Sequence, residues 1–320
     1  MSTVHGNLSH AMRDNYNEHG VDEYYRKVAA TYRNPFFPGI KKVIWTLMNR
    51  WWEAEGRNLY SSGGTRSCGL RVLDMAAGSG EATLCLLEWA TAGSQSNSIS
   101  VAHPHITNTS SAPDPLAALR AIQSGQSSRP AFIPPNVWRS GPASAGPTIS
   151  SRTRKGKHVF GNMDPPQLPE NFEIDIVATD PYTSPAYRER TSRPCHPISF
   201  TDLANGVLPP DSLQHSQAGP IWDVIVCSFA LHLVTSPSEL FALLYELSGK
   251  SRWLVIIAPH KKPEIKETWG WSRWDIASWT AAGEGKLYAS GKANEEEEEE
   301  TELEIVRDKV KLRLYRSNAF

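Results

Sequence analysis

The chain has 320 residues, of which 40% are hydrophobic and 21% charged, and its formal net charge is −1. That size is ample for a self-sufficient core. The near-zero charge argues against a globally basic nucleic-acid binder, and no apolar run approaches the ~20 residues that cross a bilayer.

Residues 1–20 are polar, lack the apolar stretch of a secretory signal and are expected to form a flexible N-terminus. From there Val21, Tyr24, Tyr25, Val28, Ala29 and Tyr32 recur at helical spacing. Asn34-Pro35 interrupts that helix, because the residue before proline is pushed out of the α region. A second amphipathic helix follows, with Ile40, Val43, Ile44, Leu47, Met48 and Trp51 on one face. The two helices, within 21–57, read as a lid on the domain occupying 21–320. Residues 69–77 (GLRVLDMAA) read as a buried strand, Gly78-Ser79-Gly80 as a turn and Glu81–Ala90 as a helix, the opening of a βαβ unit.

From 91 to 169 Ser, Pro, Gly, Asn and Thr dominate, so a disordered insertion is expected, with a transient helix at Pro115–Ile122. Beyond it, 173–179 reads as a strand ending in Asp180-Pro181-Tyr182, and 196–200 as a weaker strand ending near Asp202. Residues 221–228 and 252–258 read as central strands buried on both faces. Between those two, Ser236, Pro237 and Glu239 open a helix through a capping box, and Gly249 ends it. Residues 309–316 alternate charged and apolar side chains and suggest a half-exposed, antiparallel edge strand. The Glu295–Glu300 run reads as a solvated loop. Cys68, Cys85, Cys195 and Cys227 lack clustered spacing, so reduced structural thiols are expected in a cytoplasmic or nuclear protein, and no metal-ligand constellation stands out.

In such a parallel sheet the ligand site lies at the carboxyl ends of the strands. The first end carries V-L-D-M-A-A-G-S-G-E, Val72–Glu81. A dinucleotide fingerprint would need a third glycine where Thr83 stands, and Asp74 is foreign to a pyrophosphate loop.

This segment resembles the first motif of class I S-adenosylmethionine-dependent methyltransferases, an apolar strand followed by D/E-x-x-x-G-x-G. The resemblance implies a Rossmann-like α/β fold with a seven-stranded, mostly parallel sheet and helices on both faces. It further implies S-adenosylmethionine as cofactor, with Asp74, Ala76, Gly78 and Gly80 around its methionine end and Asp180 on the ribose hydroxyls. Asp202 and Leu203, in F-T-D-L, correspond to an adenine contact. The C-S-F-A-L-H segment, Cys227–His232, looks like the small-molecule and tRNA-modifying branches; it implies that Ser228 and Phe229 face the cofactor. His232 becomes a candidate base, the alternative being a structural histidine, and His260 is a second candidate. Tyr25, Ala29 and Tyr32 match a Y-x-x-x-A-x-x-Y segment that relatives fold over the cofactor. Trp269, Trp271, Trp274 and Trp279 either wall an acceptor pocket or pack. A small-molecule acceptor is expected. The basic stretch Ser151–His158 leaves RNA or protein open, and a catalytically inactive, cofactor-binding partner subunit is a third reading.

Overall fold

The computed structural model describes residues 20–60, 69–99, 163–210, 219–282 and 302–320. These belong to one compact unit; a second unit, 102–158, lies outside the described residues, as do Pro115–Ile122, Ser151–His158, Glu295–Glu300 and Cys68. In chain order the elements are α1 (Val21–Val28), α2 (Phe37–Trp51), α3 (Arg57–Tyr60), β1 (Leu70–Met75), α4 (Glu81–Ile99) and β2 (Ile174–Thr179). Then come α5 (Ser184–Thr191), α6 (Phe200–Ala204), β3 (Trp222–Ser228), α7 (Pro237–Ser248) and β4 (Ser251–Ala258). The chain closes with β5 (Trp271–Asp275), β6 (Thr280–Ala281), β7 (Ile305–Arg307) and β8 (Val310–Ser317).

The sheet is mixed, in the order β2-β1-β3-β4-β8-β5-β6, with β7 paired to β8. Its first four strands are parallel, and every contact of β8 is antiparallel. Strand alternation sends Val72, Val224, Val226, Val255 and Leu312 to a core shared with α2 and α4. Leu73, Met75, Ile225, Leu254 and Ile256 go to the opposite core, under α6 and α7. Helices therefore cover both faces, which is why the central strands read as near-continuous apolar runs.

Several expectations need correction. Among the described residues the sheet has eight strands where seven are expected. The stretch expected as a strand over 196–200 makes a single parallel bridge, Thr179 to His196, and turns into α6. The strand at the end of the chain is no edge: β8 lies between β4 on one side and β5 and β7 on the other, mostly buried. Arg313 is accommodated there because its guanidinium donates to the carbonyls of Lys261, Lys262 and Pro263. The helix expected to stop at Ala90 continues to Ile99. Leu168 is buried, and its N–H donates to the Gly93 carbonyl. At α7, Ser236 Oγ accepts from the Glu239 N–H at 3.4 Å without a return bond, and Gly249 is right-handed. No helix among the described residues is long and apolar enough to cross a membrane. Cys85, Cys195 and Cys227 are buried free thiols, and burial pushes Cys195 and Cys227 up to about 12.

Candidate cofactor site

At the carboxyl ends of β1, β2 and β3 lies a cavity of about 550 Å³. Its floor is the turn after β1, where Ala76 (φ 54) and Gly78 (φ 60) are left-handed. One strand over, Phe229 (φ 57) is left-handed as well and stacks on Phe36, ring centroids 5.2 Å apart. Two left-handed residues with side chains, side by side on one cavity wall, are strained backbone of the kind that clusters at functional sites. Tyr25, Tyr32 and Asn34 reach the same cavity from the N-terminal segment. Tyr25 lies parallel to Tyr182, at 6.4 Å, and edge-on to Tyr32.

Three carboxylates organise the turn. Asp180 is buried at the end of β2; its Oδ1 accepts from the N–H groups of Tyr182 (2.9 Å) and Thr183 (2.7 Å), and its Oδ2 from that of Gly78 (3.0 Å). With about four acceptor positions per carboxylate, little is left for a ligand beyond one position on Oδ2. Asp74 is fully buried and faces away from the cavity: its Oδ2 accepts from the Thr83 N–H (3.2 Å) and hydroxyl (2.6 Å), while Oδ1 has no partner among the described residues. Glu81, the first residue of α4, has a side chain only 3% exposed that does line the cavity. Its Oε1 accepts from the Asn34 N–H (2.9 Å), Ser79 Oγ (2.5 Å) and Arg190 Nη1 (2.8 Å).

Burial pushes Asp74 up to about 7; the bonds from Thr83 oppose the shift, and the nearby charges of Glu81 and Asp180 add to it. An unfolded carboxyl near 3.8 has lost its proton where the folded one keeps it, so this group favours the fold at low pH. That contribution declines as pH rises from about 4 to about 7, by on the order of 4 kcal/mol in all. Asp74→Asn carries no charge to bury. Its unfolding free energy relative to the natural protein is therefore expected to rise steadily across that window in denaturant titrations. A constant difference would show that Asp74 does not titrate there.

Of the residues expected at the site, the structure brings together Tyr25, Ala76, Gly78, Asp180, Ser228 and Phe229 on the cavity wall. Asp74 is excluded, as described. Gly80 (φ 84) is also off the wall; a Cβ there would stand 2.5 Å from a Thr191 methyl, so this glycine serves the packing of α5 against the turn. Asp202 and Leu203 are off the wall as well. The Asp202 carboxylate closes a capping box with the N–H and hydroxyl of Ser199, bonds that hold it below the usual carboxylate range, and Leu203 is core. Ser199, Phe200, Thr201 and Asn205 face the cavity instead. The S-x-x-D pattern at Ser199 was the available signal.

His232 is also off the wall, although its neighbour Leu233 is on it. Its ring packs edge to face on His260 at 4.7 Å, and burial, with the charge of His260, pulls it down to about 4. It is therefore neutral near pH 7 and sits beside the cavity rather than in it. None of the four tryptophans lines the cavity. Trp271 is core and donates to the Leu244 carbonyl, Trp274 and Trp279 pack on Trp253, and Trp269 meets Phe241. Tyr24 is buried in the core of the N-terminal segment and Ala29 is not part of the wall.

No family model matches the chain. In structural comparison it is similar to the mitomycin 7-O-methyltransferase MmcR, with 9% identity and a TM-score of 0.32, covering 95% of this chain and 60% of the enzyme chain. In sequence it is 34% identical over 279 residues to the uncharacterized protein C17A5.05c of Schizosaccharomyces pombe, covering 87% of each. With an identity and coverage of that order, the chain belongs to the family of that S. pombe protein.

Proposed function

We propose that the chain is an S-adenosylmethionine-dependent methyltransferase acting on a small, phosphate-free acceptor. The observation that carries the reading is the charge of the glycine turn. In a dinucleotide fold the N–H groups at this turn and helix N-terminus hold a pyrophosphate. Here the chain's own carboxylates occupy them: Asp74 takes the Thr83 N–H, Asp180 takes the Gly78 N–H, and Glu81 stands at the first position of α4. A phosphate is repelled, and a nucleoside bearing sulfonium and ammonium charge is attracted. Among the described residues the charged groups on the wall are Glu81, Asp180 and Glu239, with no Lys, Arg or His. This disfavours RNA, whose recognition needs cations, and favours a neutral or basic small molecule.

Bound there, the cofactor supplies an intrinsically reactive methyl sulfonium. That group would supply a methyl for transfer to the acceptor, with the carbon–sulfur bond broken, the thioether released and any acceptor proton lost to bulk water once the product leaves. The chain's work is to align the reactants and exclude water. Gly78 admits the ligand close to backbone, Asp180 accepts one sugar hydroxyl, and the rings of Tyr25, Tyr32 and Phe229 wall the chamber. Incubating the purified protein with a cell extract and methyl-tritiated S-adenosylmethionine is expected to label a compound in the small-molecule fraction. Label confined to RNA or protein overturns the acceptor class; absence of both label and cofactor binding overturns the reading.

A further inference from the structure

Resting on that reading, we infer that Glu81 is the specificity residue that recognises the ammonium group of the ligand's amino-acid arm. Three observations point to it. The Glu81 side chain is almost wholly buried yet forms part of the cavity wall. Its two oxygens are used unequally: Oε1 accepts from Asn34, Ser79 and Arg190, while Oε2 accepts no hydrogen bond among the described residues. That open oxygen lies 3.4 Å from where a Cβ on Gly78 would stand, over the one residue of the turn that lacks a side chain and faces the cavity.

A carboxylate oxygen that faces the cavity with its lone pairs open can accept from a donor on a bound ligand. The surroundings select its charge. Asp180 shares the wall, and the nearby Arg190 is already engaged through Oε1 and stacked over Phe37 at 4.7 Å. The local balance is negative, so an ammonium fits better than a neutral hydroxyl. The other carboxylates suit the role less, and Glu239, though on the wall, is exposed. Asp74 does not reach the cavity, and Asp180 is committed to three backbone donors.

The test is calorimetric titration of the full chain with three adenosine thioethers. S-adenosylhomocysteine has the complete amino-acid arm, 5′-(3-aminopropylthio)adenosine keeps the ammonium without the carboxylate, and 5′-methylthioadenosine has neither. The two ammonium compounds are expected to bind roughly 10- to 100-fold more tightly than methylthioadenosine, as a charge-assisted bond provides. Glu81→Gln is expected to erase that advantage and leave methylthioadenosine affinity unchanged. Equal binding of all three by the natural protein overturns the inference while leaving the cofactor reading in place, and this comparison needs no variant. An equal loss for all three in Glu81→Gln also overturns it, because Glu81 would then only hold the Asn34 segment. If no adenosine thioether binds, the cofactor reading itself fails.

Discussion

Valine at position 78 is expected to abolish binding of S-adenosylhomocysteine in calorimetry while the protein keeps its secondary structure. Gly78 sits at φ 60, where a left-handed residue with a Cβ costs ~1–2 kcal/mol, and more for a β-branched one. The Cβ itself would stand 3.0 Å from Tyr32 Cε1 and 3.4 Å from Glu81 Oε2. Tyr32 and the turn must separate to admit it, and the γ-methyls then occupy cavity volume over the open carboxylate oxygen. Strain and crowding together amount to ~2–4 kcal/mol, seen as a lower midpoint in denaturant. Affinity should fall by more than ~100-fold, because the ligand loses both space and its partner. Retained binding would mean that the ligand does not cross this turn.

The second large effect is at Asp180. Alanine there leaves the N–H groups of Gly78, Tyr182 and Thr183 without their acceptor at a buried site. Hydrogen bonds to a charged group contribute about 1.5–3 kcal/mol each, so a destabilisation of at least ~3 kcal/mol is expected even with water entering. The Gly78 N–H bond ties the β1 turn to the end of β2, so nucleoside binding should disappear with it. Asp180→Asn separates the contributions. Its carbonyl can still serve Tyr182 and Thr183, but the amide presents a donor to the Gly78 N–H. Most stability is then retained while affinity falls at least ~10-fold. Natural affinity in Asp180→Ala would remove that carboxylate from the site.

The architecture was legible where one physical cause dominates. β3 and β4 are near-continuous apolar runs because α2 and α4 cover one face of the sheet and α6 and α7 the other. β8 was misread because its alternating charges imitate a solvated face. What buries Arg313 is a set of carbonyls about fifty residues away, which no local pattern encodes. The motif Asp74–Gly80 located the turn but not the direction of each side chain: Asp74 points under it to Thr83, and Glu81 reaches over it. An acidic residue opening a helix reads by default as a partner of the helix dipole, so Glu81 gave no sign of its second role. Asp202 and Leu203 are expected just beyond a strand over 196–200, but a capping box starts a helix there, and helical geometry turns both off the cavity. A single helical turn over Leu231–Leu233 does the same to His232. The left-handed backbone at Ala76 and Phe229 is set by the junction of strand ends and had no sequence signal at all.

The central claim is that the glycine turn is filled by the chain's own carboxylates and therefore takes a phosphate-free, ammonium-bearing nucleoside. Parallel calorimetric titrations of the natural protein with S-adenosylhomocysteine and with NAD test it directly. Saturable one-to-one binding of the thioether, with no heat of binding from NAD, is the expected result. Binding of NAD in its place would contradict the assignment of charge at the turn and the function built on it.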